Sequence, residues 1–271
     1  MIKELLKNKK LIWKLSKNDF KSKFAGSFFG IVWAFVQPII TVLVYWIVFD
    51  KALNAGTQGT KEGIEAPFVL WLSAGIVPWF YFSEVLSHGT NTLIEYSYLV
   101  QKVVFKIEAL PVVKVISSLF VHLFFIAFTV VLFLCYGFTP NLYLLQVIYY
   151  SAAMCIMVLG MIYATSALVL FFRDLSQIIG ILLQVWIWAT PIMWNIDSAA
   201  IAPKMQGLLG FIIKANPMYY ISSGYRDAFI SQTWFWERPV LSVYYWIFTI
   251  LVFFIGTKIF KKLQPQFADV L

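Results

Sequence analysis

The chain has 271 residues, of which 61% are hydrophobic, 19% aromatic and only 13% charged, with a formal net charge of +8. No soluble domain of this size requires so much apolar surface, so composition predicts a polytopic membrane protein. The basic excess could suggest a nucleic-acid partner, but its placement beside long apolar runs argues for a membrane topology signal instead.

Residues 1–24 hold eight lysines, interleaved with Leu5, Leu6, Ile12, Trp13, Phe20 and Phe24 at roughly helical intervals. This predicts an amphipathic helix in the membrane–water interface, lysines toward anionic headgroups. Trp13, Phe20 and Phe24 weigh against the alternative, a disordered basic tail. No small-residue cleavage site follows, so no cleavable leader is expected. Residues 25–49 carry no charge, enough for a first span at the ~20 residues a bilayer requires. Gln37-Pro38 sits mid-span and predicts a kink. A polar loop, 50–66, leads to a second span at 68–86, with Gly75 and Pro78 weakening its middle. Glu84 near its end is a site candidate if it faces protein or water, or else a carboxylate already at headgroup level.

The stretch 95–111, EYSYLVQKVVFKIEALP, is a sizeable polar segment between uncharged runs. Leu99, Val103 and Lys106/Ile107 recur at helical spacing and predict a short amphipathic helix broken before Pro111. It reads either as a handle by which a cytosolic partner moves the membrane part, or as an ordinary connecting loop. From 115 to 172 the run is uncharged except for the ionisable His122, and the cluster GFTPN at 137–141 divides it into a hairpin of two spans. Arg173-Asp174 marks a brief surfacing before a fifth span, 175–196, ending in TPIMW. Within 197–238 two apolar pieces, 199–201 and 208–213, are too short to cross and suit segments that dip into the membrane and return. A last span, 239–257, precedes the tail KIFKKLQPQFADVL.

The expected fold is therefore all-α: a cytoplasmic interface helix over 1–24, then a six-span transmembrane domain over 25–271, with re-entrant helices between spans five and six. With both termini on one side, 15 of the 21 lysines and arginines fall on that side and 6 on the other. The positive-inside rule then predicts that both termini are cytoplasmic.

Little in the sequence suggests catalysis. There is no GxxxxGK[ST], so the chain does not bind ATP through a P-loop of its own. HExxH, CxxC and GxSxG are absent, and His88 and His122 are too isolated to suggest a metal. Cys135 and Cys155 lie inside apolar runs and read as small buried hydrophobes. The acids are scattered singly apart from Glu62 and Glu65, against a membrane-embedded glycan- or lipid-modifying enzyme. Apart from His122 the span centres lack the ionisable residues of an ion-coupled carrier. What is abundant is aromatic surface. Trp33, Phe35, Tyr45, Trp71 and Trp79 are candidates to stack against sugar rings along a passage, with core packing or an interfacial belt as the default role.

Several segments carry a family resemblance: KSKFAGSFFGIVWAFVQP and VYWIVF around span one, PFVLWLSAGIVPWFYFSE in span two, then VQKVVFKIEALP, FFRDLSQ, TPIMW, NPMYYISSGYRDAF and KKLQPQFADVL. In order and over nearly the whole length, they resemble the permease subunits of bacterial ABC-2-type polysaccharide exporters, most closely the teichoic-acid translocation permeases of Gram-positive bacteria. Lys106 stands where that pattern has a proline. The resemblance implies a homodimer in the bacterial cytoplasmic membrane, joined on the cytosolic side by two P-loop ATPase subunits that bind ATP and magnesium. It implies a coupling segment at 95–111 with Tyr98, Leu99, Val100, Lys102, Val103, Phe105 and Glu108 as ATPase contacts. It further implies an outer gate in 197–221, with Leu208, Phe211, Pro217 and Tyr219, and a polymer cargo on an undecaprenyl-pyrophosphate carrier. Lys21, Lys23 and Arg173 are then candidates to meet the lipid pyrophosphate, or simple topology markers. An ABC-2 exporter of a small drug or peptide is the rival expectation.

Overall fold

The computed structural model describes residues 8–59 except 24 and 27, 64–100, 106–196, 203 and 207–270. Helix α1 (Lys9–Ser22) buries Ile12, Ser16 and Asp19, one face at helical spacing. Ile12 packs with Ala109 and Val113, and Trp13 and Phe20 both meet Phe120. The expected amphipathic helix is present, with Lys9, Lys10, Lys14, Lys17 and Lys21 exposed, and its apolar face is covered by protein.

Helix α2 (Trp33–Tyr45) continues through Pro38 and ends in a widened turn, Trp46–Ala52. The loop expected at 50–66 contains a short antiparallel ribbon, β1 (Thr57–Gly59) and β2 (Glu65–Pro67), with Gln58 opposite Ala66. Helix α3 (Phe68–Thr90) is apolar over most of its length and largely buried, making it the central post of the bundle. Neither Gly75 nor Pro78 interrupts it.

After α3 come two single turns, α4 (Thr92–Glu95) and α5 (Ser97–Val100), separated at Tyr96. Residues 101–105, and with them Val103 of the amphipathic helix expected over 95–111, lie outside those described. That helix's expected break before Pro111 falls earlier. Helix α6 (Ala109–Cys135) begins two residues before that proline, which sits in the first turn, where a missing N–H costs no hydrogen bond.

The α6–α7 hairpin forms as the sequence predicts. Gly137 takes a positive φ of 83°, and the Asn141 side chain accepts from the Tyr143 N–H ahead of α7 (Gln146–Leu168). Helix α8 (Leu175–Ala189) is shorter than the expected fifth span. Pro191 pushes Thr190 into an extended conformation, φ −96° and ψ 125°, and TPIMW forms turns. Two short helices follow, α9 (Leu208–Lys214) and α10 (Pro217–Arg226), then α11 (Pro239–Leu263) and the terminal turn α12 (Phe267–Val270).

Among the described residues five helical runs are long and apolar enough to cross a membrane: Gly30–Ala52, Phe68–Thr90, Ala109–Cys135, Leu142–Leu168 and Pro239–Gln266. The molecule is an all-α polytopic membrane protein with one small ribbon. At ~1.5 Å per residue, α8 is roughly 22 Å long against a hydrocarbon core of ~30 Å. It falls short of the six-span expectation on length alone.

Helices α7 and α11 approach closely because both are glycines where they cross. A Cβ at Gly256 would overlap the Gly160 carbonyl, and one at Gly160 would overlap the Phe253 backbone. Small residues at such crossings let backbones meet, which matters in lipid, where apolar burial drives little association. One end of the bundle is knit by Leu93, Val100, Leu110, Tyr163, Phe260 and Phe267, bringing α4, α5, α7, α11 and α12 together beneath the start of α6. The opposite end gathers the ribbon, the α6–α7 turn and residues 190–196 and 207–238, with the Asn195 amide donating to the Gly59 carbonyl.

Candidate functional site

At the α4–α5 end lie two ion-paired groups of side chains. Lys114, in the second turn of α6, donates to Asp19 of α1 at 2.7 Å and to Glu95 of α4 at 2.6 Å. The Lys114 and Asp19 side chains are only 10% and 7% exposed, while Glu95 is 42% exposed. The Tyr96 hydroxyl donates to the same Asp19 oxygen at 2.6 Å, and the Lys114 ammonium lies 5.3 Å from the Tyr96 ring centre. Burial alone would raise the Asp19 carboxyl, but the Lys114 charge and these hydrogen bonds outweigh it and hold it below its ordinary value. Burial, reinforced by the donation to Asp19, pushes the Tyr96 phenol up. One turn further along, Lys23 donates to Glu84 at 2.6 Å and the Ser118 hydroxyl donates to the same oxygen at 3.0 Å. Glu84 is thus half-buried and paired within the protein.

The sequence candidates divide here. Tyr98 is exposed, Leu99 half-buried, and Val100 is inserted into the apolar cluster beneath. The Glu108 carbonyl accepts from the Tyr163 hydroxyl at 3.0 Å. Lys102, Val103 and Phe105 lie outside the described residues. Lys21 is exposed, Lys23 is paired with Glu84, and Arg173 lines a cavity of about 140 Å³ with Ile94, Ser97, Leu170 and Val270.

Of the candidate passage aromatics, Tyr45 and Trp71 are joined by ring contacts through Phe49 and Phe68. Trp33 is exposed on α2, Phe35 rests against Phe124 with ring centres 4.2 Å apart, and Tyr45 is half-buried beside Phe49. Trp71 and Trp79 are buried inside the single chain, among α3 and its neighbours. The gate candidates are split as well. Leu208 and Phe211 on α9 are 75% and 70% exposed, whereas Pro217 and Tyr219 on α10 are buried. Helix α10 starts where the sequence directs it. Asn216 caps its N-terminus, Pro217 occupies the first position, and the Asn216 amide also binds Trp186 and Thr190.

Sequence reasoning missed Arg226, counted as an outer topology marker. Its guanidinium is buried at the end of α10 and donates to the carbonyls of Pro191 (2.7 Å), Ile192 (2.7 Å) and Trp71 (3.3 Å). It lies flat over the Trp71 ring at 3.3 Å, in space that exists because residue 75 has no Cβ. Lys114 was likewise counted as a surface charge and is buried. Its signal was its isolation in an apolar run, within reach of the single acid on the α1 face marked by Ile12 and Ser16. His122 is a core residue whose ring Nε2 bonds the Tyr225 hydroxyl at 2.9 Å, with Ser151 2.6 Å from that hydroxyl, while its Nδ1 is buried without a hydrogen-bond partner among the described residues. Cys155 is half-buried and bonded to Tyr81, but Cys135 is exposed at the end of α6, contrary to its reading as a buried hydrophobe. Among the described residues no three His, Cys, Asp or Glu side chains gather as a metal site would need.

A bundle of apolar helices carrying short surface turns and paired charges at one end, with two short helices at the other, defines a polytopic membrane component. The chain belongs to the ABC-2 type transporter family, which matches residues 10–230. Its relatives include the O-antigen export system permease protein RfbA of Myxococcus xanthus, 22% identical over 269 residues, covering 99% of this chain and 98% of the relative. Two proteins of the same name from Klebsiella pneumoniae are 25% and 24% identical, each covering 95% of this chain and 93% of the relative.

Proposed function

We propose that the chain is the permease subunit of an ATP-driven exporter that moves a lipid-linked cell-surface polysaccharide across the cytoplasmic membrane. The observation that carries this reading is a likeness to O-antigen export permeases over 95–99% of the chain, in a sequence without a P-loop of its own. The energy then comes from a separate P-loop ATPase, which holds ATP and magnesium. The cargo is a polymer on undecaprenyl pyrophosphate, wall teichoic acid or a related polysaccharide. Two copies of this chain and two ATPase subunits make the transporter.

In this reading both termini are cytosolic, α8 completes a set of six spans, and α9–α10 form the re-entrant gate at the outer mouth. The ATPase seats on the segment 95–111. Exposed Tyr98 and half-buried Leu99 offer the contact, and Val100 carries displacement into the apolar cluster to which it belongs. Lys21, Lys23 and Arg173 offer cations to a pyrophosphate arriving from the inner leaflet. The test is co-expression with the candidate ATPase and purification of the pair. The unaltered chain should retain the ATPase through detergent extraction, and Tyr98→Asp with Leu99→Asp should release it while membrane insertion persists. A complex equally stable in that double variant overturns the docking site.

A further inference from the structure

The two ion-paired groups at the α4–α5 end form a ladder. Asp19 and Lys23 lie four residues apart at the end of α1, and Lys114 and Ser118 lie four apart on α6, so each pair occupies one helix face. Each rung also takes a carboxylate from a third element: Glu95 from α4 in the buried rung, Glu84 from α3 in the other. Lys114 alone touches α1, α4 and the Tyr96 break between α4 and α5. Apolar contacts of Ile12, Trp13 and Phe20 already hold α1 on α6. Anchoring alone gives no reason to bury an ammonium at this point, because an apolar residue of similar size would hold the helix as well without the desolvation cost. What the charge adds is directional linkage between α1 and the short turns.

We propose that Lys114 is a positioning residue of the transport cycle. It locks α1, the 92–100 turns and the start of α6 into one lever, so that a push on the turns is passed to α6 instead of being absorbed by bending at Tyr96. This rests on the reading of the chain as a permease driven by a separate ATPase.

The test uses the full transporter in vesicles of phosphatidylethanolamine and phosphatidylglycerol, with spin labels at Asn18→Cys on α1 and Ile94→Cys on α4. Distances are read without nucleotide and with ATP trapped by vanadate. With Lys114 intact, one narrow distance should persist in both states. In Lys114→Met a second, longer population should appear only in the trapped state, and Lys114→Arg should abolish it. Lys10→Met, an exposed lysine elsewhere on α1, should behave as the unaltered chain. Separation in both states would reduce Lys114 to a simple anchor, and no separation in either would remove its role; both results overturn the lever. Should Lys114→Met not assemble, Glu95→Gln, which alters the more exposed partner, must give the same nucleotide-dependent population, and a single distance there overturns the proposal. Failure of the unaltered chain to retain an ATPase, seen before labelling, instead sinks the permease reading itself.

Discussion

Keeping the charge of Arg226 while removing its fork isolates what the buried guanidinium does. Arg226→Lys cannot reach three carbonyls and an indole face from one nitrogen, so the carbonyls of Pro191, Ile192 and Trp71 lose donors in a dry setting. At about 1–3 kcal/mol for each buried group left unsatisfied, the detergent-solubilised variant should melt well below the unaltered chain in a thermal aggregation assay. Gly75→Ala should act on the same lock from the other side, since its methyl group enters the guanidinium's space. Asp19 supports a pH prediction. Its carboxyl is held below the ordinary value, so its contribution to docking α1 is complete above that ordinary value and disappears as pH falls through the lowered one. Trp13 fluorescence, which reports packing on Phe120, should stay constant from neutral pH down to about pH 4, the ordinary aspartate value, and change below it. In Asp19→Asn that acid transition should vanish.

Among elements, the α7–α11 crossing is the least tolerant of added volume. Gly256→Leu would drive a side chain into the Gly160 carbonyl, where backbone rather than a flexible side chain stands in the way. It should abolish recovery of folded protein, whereas Gly180→Leu on α8, with open space around its Cα, should leave yield unchanged on size-exclusion chromatography. The start of α10 offers a graded counterpart. Asn216→Ala removes an N-cap worth about 1 kcal/mol together with the bonds to Trp186 and Thr190, so α10 should gain backbone hydrogen exchange before the rest of the bundle does. Both features were partly legible: Asn-Pro marks a helix start in any sequence, but two glycines 96 positions apart acquire meaning only once their helices cross. The short α8 was legible in hindsight from Thr190-Pro191, because the residue before a proline leaves the helical region whatever hydropathy would prefer. The ribbon at 57–67 gave no alternating apolar signal, and its pairing depends on which chain ends the spans bring together.

For the whole molecule, the prediction is one of sidedness. A cysteine at position 94 should react with a membrane-impermeant reagent only after the cytosolic face is opened, and one at position 236 should react from outside. The reverse pattern would invert the assembly and remove the ATPase from the α4–α5 end. The membrane class, the α6–α7 hairpin and the amphipathic pattern of α1 followed from sequence alone, because composition, period and turn chemistry are local properties that lipid and water read without reference to the rest of the chain. The charge count behind the topology treated Lys114 and Arg226 as surface residues, and the fold buried both. Which charges face water and which hold the structure together is a property of distant pairs, Lys114 with Asp19 and Arg226 with Pro191, Ile192 and Trp71. Only the packed helices bring those partners within hydrogen-bonding distance, so the tertiary structure alone could turn two apparent topology markers into internal locks.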